Sequence, residues 1–317
     1  MSKIFLDHSF RCVKLQTLSY TPDAIIDSIC SDPDSTNTKK LLNRISSAII
    51  DNKLYSTKSG YRSVIPNSEG LLPHNSRLYS HGTSTNDVPD IKLIRDLIEL
   101  KLKIDVADKD PEMQSEKLST GHFRFYLPPV LAPQILILIK NPDPESNKMI
   151  LLFHGNFKLL PVFTSFLQSK FDCTIDDIRI DNTFMESLVN WSIMNDVIDS
   201  INTLELWFGK LHTGGKLGSI VIKVESKDIK LLKKLILQSA DTNNGFMEML
   251  LEQLRKETSI SFDKLSLVKL KCDLFTIDSE GRLKMFRSMS HLGESDRKRK
   301  NDQRLSIWWI IHQISKL

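Results

Sequence analysis

The chain has few cysteines and no long hydrophobic run, and both shortages narrow the kinds of protein that it can be. Its four cysteines are far apart and form no Cys-x-x-Cys pair, which argues against a zinc site or a redox pair. The most apolar run, 134–139, is much shorter than the roughly 20 residues of a membrane helix. Charge at the first residues argues against a signal peptide. We therefore expect an intracellular protein with no membrane partner, whose thiols stay free in a reducing compartment.

Catalytic motifs are also missing. His154 and Gly155 follow an apolar segment, as in the oxyanion loop of an α/β-hydrolase, but the Gly-x-Ser-x-Gly nucleophile elbow of that fold occurs nowhere in the sequence. Segment 209–217 resembles a phosphate-binding loop, but Gly215 stands where the motif needs Lys. The eight histidines are scattered without the spacing of metal ligands. We therefore expect no catalytic residue, no metal and no cofactor, with a hydrolase that uses His154 as the remote alternative.

Hydrophobic periodicity predicts an α+β fold. The chain is 40% hydrophobic and 26% charged, an ordinary globular composition. Expected strands come in antiparallel hairpins with helices between them, rather than in regular βαβ alternation. Helical spacing predicts a short helix that begins near Pro22 and further helices at 41–50, 91–104, 157–171, 183–194, 226–237 and 246–254. Alternating or short apolar runs predict strands at 4–15, 123–127, 134–140, 149–153, 204–208, 219–224, 265–277, 282–286 and 305–314.

A stretch rich in serine, proline and glycine interrupts this pattern at 56–90. It has too few apolar residues to offset its ordering entropy, so we expect a mobile loop. The loop belongs to a predicted N-terminal strand and helical region at 1–120. A predicted α+β sheet domain at 121–317 follows.

A basic cluster stands out in a chain whose net charge is only +4. Between Arg282 and Arg304 there are eight Lys or Arg residues and three acids. Consecutive bases in a polar loop fit the acidic groove of a nuclear import receptor, DNA phosphates, or a solvated connection with no binding role. The residues in question are Arg297, Lys298, Arg299, Lys300 and Arg304.

The last expected strand, 305–314, carries two adjacent tryptophans, Trp308 and Trp309. Neighbouring side chains in a strand point to opposite faces, so one indole would face outward unless a partner covers it. A chain-terminal strand with an apolar edge favours pairing with another chain. The alternative is a strand buried on both faces within its own sheet.

Segments 246–258, 265–270 and 281–286 follow one another as a helix, a short strand start and a basic strand. They are supported by 5–15, 123–126, 151–153 and the strands that contain Trp207 and Ile220. In this order of elements and a few side chains, rather than in a catalytic signature, the sequence resembles the C-terminal part of fungal centromere protein L. The chain departs from the family pattern at 56–90 and 287–304.

This resemblance implies a fold and a role. The fold would be a curved, mainly antiparallel β-sheet with helices packed against it. The protein would be a non-catalytic scaffold subunit of the inner kinetochore, in the nucleus at the centromere. It would pair through a C-terminal dimerisation region with a centromere protein N-like subunit, contact other inner-kinetochore subunits, and support association with the centromeric nucleosome and chromosome segregation. The residues expected at the partner interface are Leu265, Leu267, Leu270, Ile307, Trp308, Trp309 and Ile310. A homodimer and direct DNA contact by the basic cluster stay open.

Overall fold

The computed structural model describes most of the chain outside several connecting segments. The described residues are 5–30, 32–50, 91–92, 95, 98–104, 120–127, 132–194, 201, 203–209, 219–238, 245–286, 307 and 309–317. The expected mobile loop at 56–90 lies outside them. So do the basic cluster at 297–304 and most of the segment that resembles a phosphate-binding loop.

Backbone contacts divide the chain into two compact units. The N-terminal unit comprises Val13–Asp176 with Lys316, and the C-terminal unit comprises Met1–Cys12, Asp177–Ser315 and Leu317. Strand β1, Ser9–Thr17, contributes residues to both. The predicted division into 1–120 and 121–317 stays a prediction; residues 120 and 121 lie at the start of the strand Thr120–Leu127.

The N-terminal unit is a sheet in the order β2-β3-β4-β5-β1, with β6 paired to β1. The pairs β2/β3, β3/β4 and β4/β5 are antiparallel. Its helices include one that begins at Pro22, where the Thr21 hydroxyl accepts a hydrogen bond from the Ala24 amide at 3.3 Å. Its elements are β2 Glu99–Ile104, β3 Thr120–Leu127, β4 Ala132–Lys140, β5 Lys148–His154, β6 Cys173–Asp177, α1 Pro22–Cys30, α2 Thr36–Ile50 and α3 Leu160–Phe171.

The core of the N-terminal unit is rich in aromatic rings. Phe163 of α3 lies 5.7 Å from Phe125 and 5.4 Å from Phe153, between ring centroids, and all three side chains are buried. A short 3₁₀ helix, Phe157–Leu159, leads into α3 and places Pro161 in the first turn. Proline has no amide hydrogen to donate, so this is the position that a helix tolerates best.

The C-terminal unit is a sheet in the order β1-β11-β10-β9-β7-β8. All five strand pairs along this path are antiparallel. A 3₁₀ helix, Phe262–Lys264, precedes β9. The other elements are β7 Thr203–Phe208, β8 Ile220–Glu225, β9 Leu267–Cys272, β10 Phe275–Asp278, β11 Arg282–Met285, α4 Asn182–Met194, α5 Ser226–Gln238, α6 Phe246–Thr258 and a C-terminal helix α7 at 309–315.

The predicted α+β class, with mainly antiparallel sheet and packed helices, is confirmed. Two short strands were not expected from the sequence. Residues 99–104, predicted as the end of a helix, form β2, where Leu100, Leu102 and Ile104 alternate with polar residues. Residues 173–177, for which no helix or strand was predicted, form β6 and pair with β1. Both are short segments whose state depends on a distant strand partner.

The predicted terminal strand is wrong. Residue 307 and residues 309–315 are helical. Four isoleucines on this segment are almost fully buried, and their spacing of three, four and seven residues places them on one helix face. These are Ile307, Ile310, Ile311 and Ile314, which are 4%, 2%, 0% and 0% exposed.

Candidate partner-binding edge and basic sheet face

The residues predicted at the partner interface lie mainly in the core of the C-terminal unit. Leu267 and Leu270 point inward from β9, and Ile307 and Ile310 are buried as well. Leu265 is half-buried just before β9, and Trp309 is half-buried on α7. Trp308 and the five basic residues of the 297–304 cluster lie outside the described residues. The four buried side chains are therefore covered by their own chain, and changing them would perturb folding.

One polar side chain fixes the start of β9. The Asn182 side chain, at the start of α4, donates a hydrogen bond to the Leu265 carbonyl at 2.9 Å and accepts one from the Leu267 amide at 2.9 Å. Its amide group thus replaces two strand hydrogen bonds where no neighbouring strand supplies them. This contact holds the entry to β9 against α4.

The C-terminal unit presents a free strand edge at β8. Among the described residues, β8 pairs with β7 and with no other strand. One row of main-chain amides and carbonyls on β8 therefore lacks a strand partner in this part of the chain. Such an edge favours the addition of a strand from another molecule.

Exposed apolar side chains are concentrated beside this edge. Of the nine large apolar side chains that are exposed among the described residues, four lie on β8 and α5: Val221, Leu231, Leu235 and Leu237 at 51%, 58%, 45% and 67% exposure. Helix α5 buries Ile229 and Ile236 on its inner face, so Leu231 and Leu235 lie one turn apart on its outer side. We call these four side chains, with Lys223, Lys227, Lys230 and Lys234, the β8–α5 surface.

The sequence of α5 contains a signal for this surface besides its helical periodicity. Helix α5 has more apolar residues than one buried face needs, and the surplus leucines alternate with lysines. The free edge of β8, by contrast, follows from the pairing of strands that are distant in sequence. Sequence periodicity alone therefore did not single out β8.

A second feature of the C-terminal unit is a basic sheet face. Residues directly opposite each other in an antiparallel pair point to the same face of the sheet. The registers therefore line up one row of Lys223, Glu205, Lys271, Thr276, Lys284 and Ser9, and a second row of Val221, Trp207, Lys269 and Asp278. Arg11 and Arg282 continue this face at the pair β1/β11. Lys and Arg outnumber Asp and Glu on these rows.

The basic sheet face is ordered by local contacts. Lys271 Nζ lies 3.2 Å from both carboxylate oxygens of Glu205. Lys269 Nζ lies 4.9 Å from the centroid of the Trp207 ring, a cation–π contact. Alternate residues of the same strands, such as Leu206 and Ile277, are fully buried on the opposite side. Lys284 Nζ lies 5.2 Å from the centroid of the Phe286 ring. The face therefore combines cations with two aromatic rings, and some of the cations are paired with acids.

The described residues offer little for chemistry of other kinds. Burial raises the pKa of the Cys12, Cys30 and Cys272 thiols to about 12, and that of Cys173 to about 11, so these thiols are poor nucleophiles. No group of three His, Cys, Asp or Glu residues in the described ranges is arranged to hold a metal ion. His154 is the last residue of β5 and pairs with Ile135 across the sheet.

Within the described residues, a strand edge without a strand partner, exposed leucines on the helix beside it and a basic sheet face are features typical of proteins that bind macromolecules. The model of the family described as centromere protein L matches residues 149–316. Because this match covers more than half of the chain, the protein belongs to the centromere protein L family. The family consists of structural centromere proteins of the kinetochore and is not known for enzymatic activity. The resemblance of the sequence to the centromere protein L family is thus confirmed.

The match also gives a cellular location in broad terms. Membership of this family implies a place at the centromere and kinetochore, in association with other proteins there. Within the described residues, no helix is both long enough and apolar enough to cross a membrane. No curated protein matches the chain.

Proposed function

We propose that this protein is a non-catalytic scaffold subunit of the inner kinetochore, which pairs with a centromere protein N-like subunit through its C-terminal sheet. In this role it supports association with the centromeric nucleosome and chromosome segregation. The family match supports the kinetochore assignment. The observation that carries the pairing is the free β8 edge with exposed leucines beside it.

The pairing is proposed at β8 rather than at the predicted terminal segment. Leu267, Leu270, Ile307 and Ile310 are buried in their own unit, so none offers its side chain to a partner without unfolding. The side chains of Val221 and Leu235 are exposed, so both are available to a partner in the folded protein. A strand added to β8 would gain main-chain hydrogen bonds from the edge and apolar contacts from these side chains.

Neutral polar substitutions test the pairing without a change of charge. In the double variant Val221→Ser/Leu235→Ser we expect affinity for the purified centromere protein N-like subunit, measured by calorimetry, to fall at least about tenfold, because burial of each side chain contributes about 1–2 kcal/mol. The matched control is Leu18→Ser/Phe157→Ser in the N-terminal unit, whose side chains are 61% and 49% exposed. Wild-type affinity in the Val221→Ser/Leu235→Ser variant would exclude this edge.

DNA binding is a second candidate function, and the basic sheet face favours it. Three lysines of one row, Lys223, Lys271 and Lys284, lie on every second strand, with Glu205 and Thr276 between them. At a strand spacing of about 4.8 Å they are about 10 Å apart, which suits contact with separate phosphates of a nucleic-acid backbone. Such contacts would carry affinity but no sequence preference. The two functions are compatible, since a scaffold that binds a nucleosome also lies near its DNA.

The salt dependence of DNA binding distinguishes contact by the basic sheet face from contact by the basic cluster at 297–304. Binding of a short duplex, followed by fluorescence anisotropy, should weaken with salt with a log–log slope of about −0.9 per phosphate contact. Lys223→Gln/Lys269→Gln/Lys284→Gln should make that slope shallower if the sheet face binds DNA. If only substitution of Arg297, Lys298, Arg299, Lys300 and Arg304 does so, the DNA contact belongs to the cluster and not to the sheet face.

A further inference from the structure

Two aromatic rings of the basic sheet face each lie beside a lysine. Trp207 on β7 is directly opposite Lys269 on β9, whose Nζ lies 4.9 Å from the centroid of the indole ring. Phe286 follows β11, and its amide donates a hydrogen bond to the Leu274 carbonyl at 2.8 Å, so it extends the pairing of β10 and β11. Lys284 Nζ lies 5.2 Å from the centroid of the Phe286 ring. Both rings are partly exposed, so the face offers two pairs of a ring and an ammonium group.

These two pairs lie at opposite ends of a diagonal across the four strands β7-β9-β10-β11. Trp207 is two residues to one side of the row that contains Lys271 and Thr276, and Phe286 is two residues to its other side. At about 4.8 Å between strands and about 3.4 Å per residue, the two rings are roughly 20 Å apart. A few nucleotides of a single strand would cover this distance, with Lys271 beneath them.

The rings favour a single strand over a duplex. Lysines alone serve both equally, because both carry phosphates. The bases of a duplex are stacked inside it, whereas the bases of a single strand are free to stack on aromatic side chains. Proteins that bind single-stranded RNA on a sheet use exposed rings in this way. Cellular DNA is paired over almost all of its length, so RNA is the single strand that persists.

We infer that the basic sheet face binds single-stranded RNA. One base stacks on Trp207 and another on Phe286, while Lys269, Lys271 and Lys284 contact the phosphates. Among the described residues, Lys269 and Lys284 form no ion pair, so each can move from its ring to a phosphate. The inference names a ligand other than the DNA duplex considered above, and it does not depend on the pairing at β8.

Replacement of the two rings tests the inference. For Trp207→Leu/Phe286→Leu we expect the affinity of the full chain for labelled oligo(U) of about 12 nucleotides, measured by fluorescence anisotropy, to fall at least about tenfold. Leucine keeps an apolar side chain in each strand but removes the flat ring. Trp207→Tyr/Phe286→Tyr keeps both rings and should bind like the wild type. So should the matched control Tyr20→Leu/Phe157→Leu, which removes rings of the N-terminal unit that are 45% and 49% exposed.

Three ligands of equal length separate the possible sources. Oligo(U) should bind more tightly than a DNA duplex and at least as tightly as oligo(dT), and the loss of both rings should leave duplex binding unchanged. Tighter binding of oligo(dT) than of oligo(U) would make the ligand single-stranded DNA and overturn the choice of RNA.

The inference and the DNA candidate fail in different ways. If the duplex binds at least as tightly as oligo(U) and Trp207→Leu/Phe286→Leu changes neither affinity, the face contacts phosphates alone and the inference is wrong. If Lys269→Gln/Lys284→Gln leaves the affinities for oligo(U) and for the duplex both unchanged, the face binds no nucleic acid and both ideas are wrong.

Discussion

The indole rings of Trp191 and Trp309 stack on each other, with centroids 3.8 Å apart and planes inclined by 6°. Trp191 lies on α4 and Trp309 at the start of α7, so the stack joins the C-terminal helix to the helical layer of its own unit. An aromatic pair contributes about 0.5–1.5 kcal/mol beyond the burial of its surface. The tryptophan predicted at a partner interface is thus an internal anchor of α7.

Loss of this anchor should lower the stability of the C-terminal unit. For Trp309→Ala we expect the free energy of unfolding, from urea titration, to fall by about 2–3 kcal/mol, since the side chain is only half-buried. Near-UV circular dichroism of the stacked indoles should weaken at the same time. Trp309→Phe keeps an aromatic ring against Trp191, so its free energy of unfolding should fall by about half as much as that of Trp309→Ala. Unchanged stability in Trp309→Ala would show that α7 is not held by the stack.

The sequence could not decide between strand and helix for the terminal segment. A run of about ten residues with isoleucines at 307, 310, 311 and 314 satisfies both an apolar strand and one face of a helix. Adjacent tryptophans and β-branched residues favoured the strand by propensity. The helix forms because it buries all four isoleucines on a single face, which no strand with alternating sides achieves.

Three single substitutions distinguish a helix from a strand at the C-terminal segment in solution. In a strand, Ile311 and Gln313 would share a face and Ile310 would lie on the other. In the helix, Ile310 and Ile311 are both buried and Gln313 is not. We therefore expect Ile310→Ala and Ile311→Ala each to cost about 2–4 kcal/mol in denaturant unfolding, and Gln313→Ala to change little. A neutral Ile310→Ala would contradict the helix.

The candidate site was less predictable than the fold for a physical reason. Turn residues and periodicity are local, so the hairpin β4/β5 and helices such as α6 could be predicted from neighbouring residues. Whether Leu270 is buried or presented to a partner depends on helices far away in sequence. Which strand forms the edge also depends on the complete strand order, which places β8 last and β9 inside the sheet.

Asn182 should contribute to the stability of the C-terminal unit, because its side chain donates one hydrogen bond and accepts another. In Asn182→Asp the carboxylate still accepts from the Leu267 amide but no longer donates to the Leu265 carbonyl. A negative charge at the start of α4 stabilises the helix by about 0.3–1 kcal/mol through the helix dipole. We therefore expect the free energy of unfolding to fall by a net amount of about 1 kcal/mol. Asn182→Ala loses both bonds and should cost about 2–3 kcal/mol by thermal or urea unfolding. If Asn182→Asp is more stable than Asn182→Ala by about 1–2 kcal/mol, the result supports the two hydrogen bonds of Asn182. If Asn182→Ala is the more stable variant, the result contradicts them.

The buried thiols should make stability fall at alkaline pH. Burial raises the pKa of Cys272 from 9.0 to about 12, so above pH 9 the unfolded chain ionises this thiol while the folded chain keeps it protonated. The contribution of this thiol to the free energy of unfolding is fully present below pH 9 and is lost progressively as the pH rises towards 12. Between pH 8 and pH 10 the loss is about 1.4 kcal/mol for one such thiol.

The variant Cys272→Ala should therefore lose about 1.4 kcal/mol less over this range than the wild type, measured by urea unfolding in reductant. Other groups titrate equally in both proteins and cancel in the comparison. Equal losses in the two proteins would mean that the thiol is accessible to solvent in the folded state.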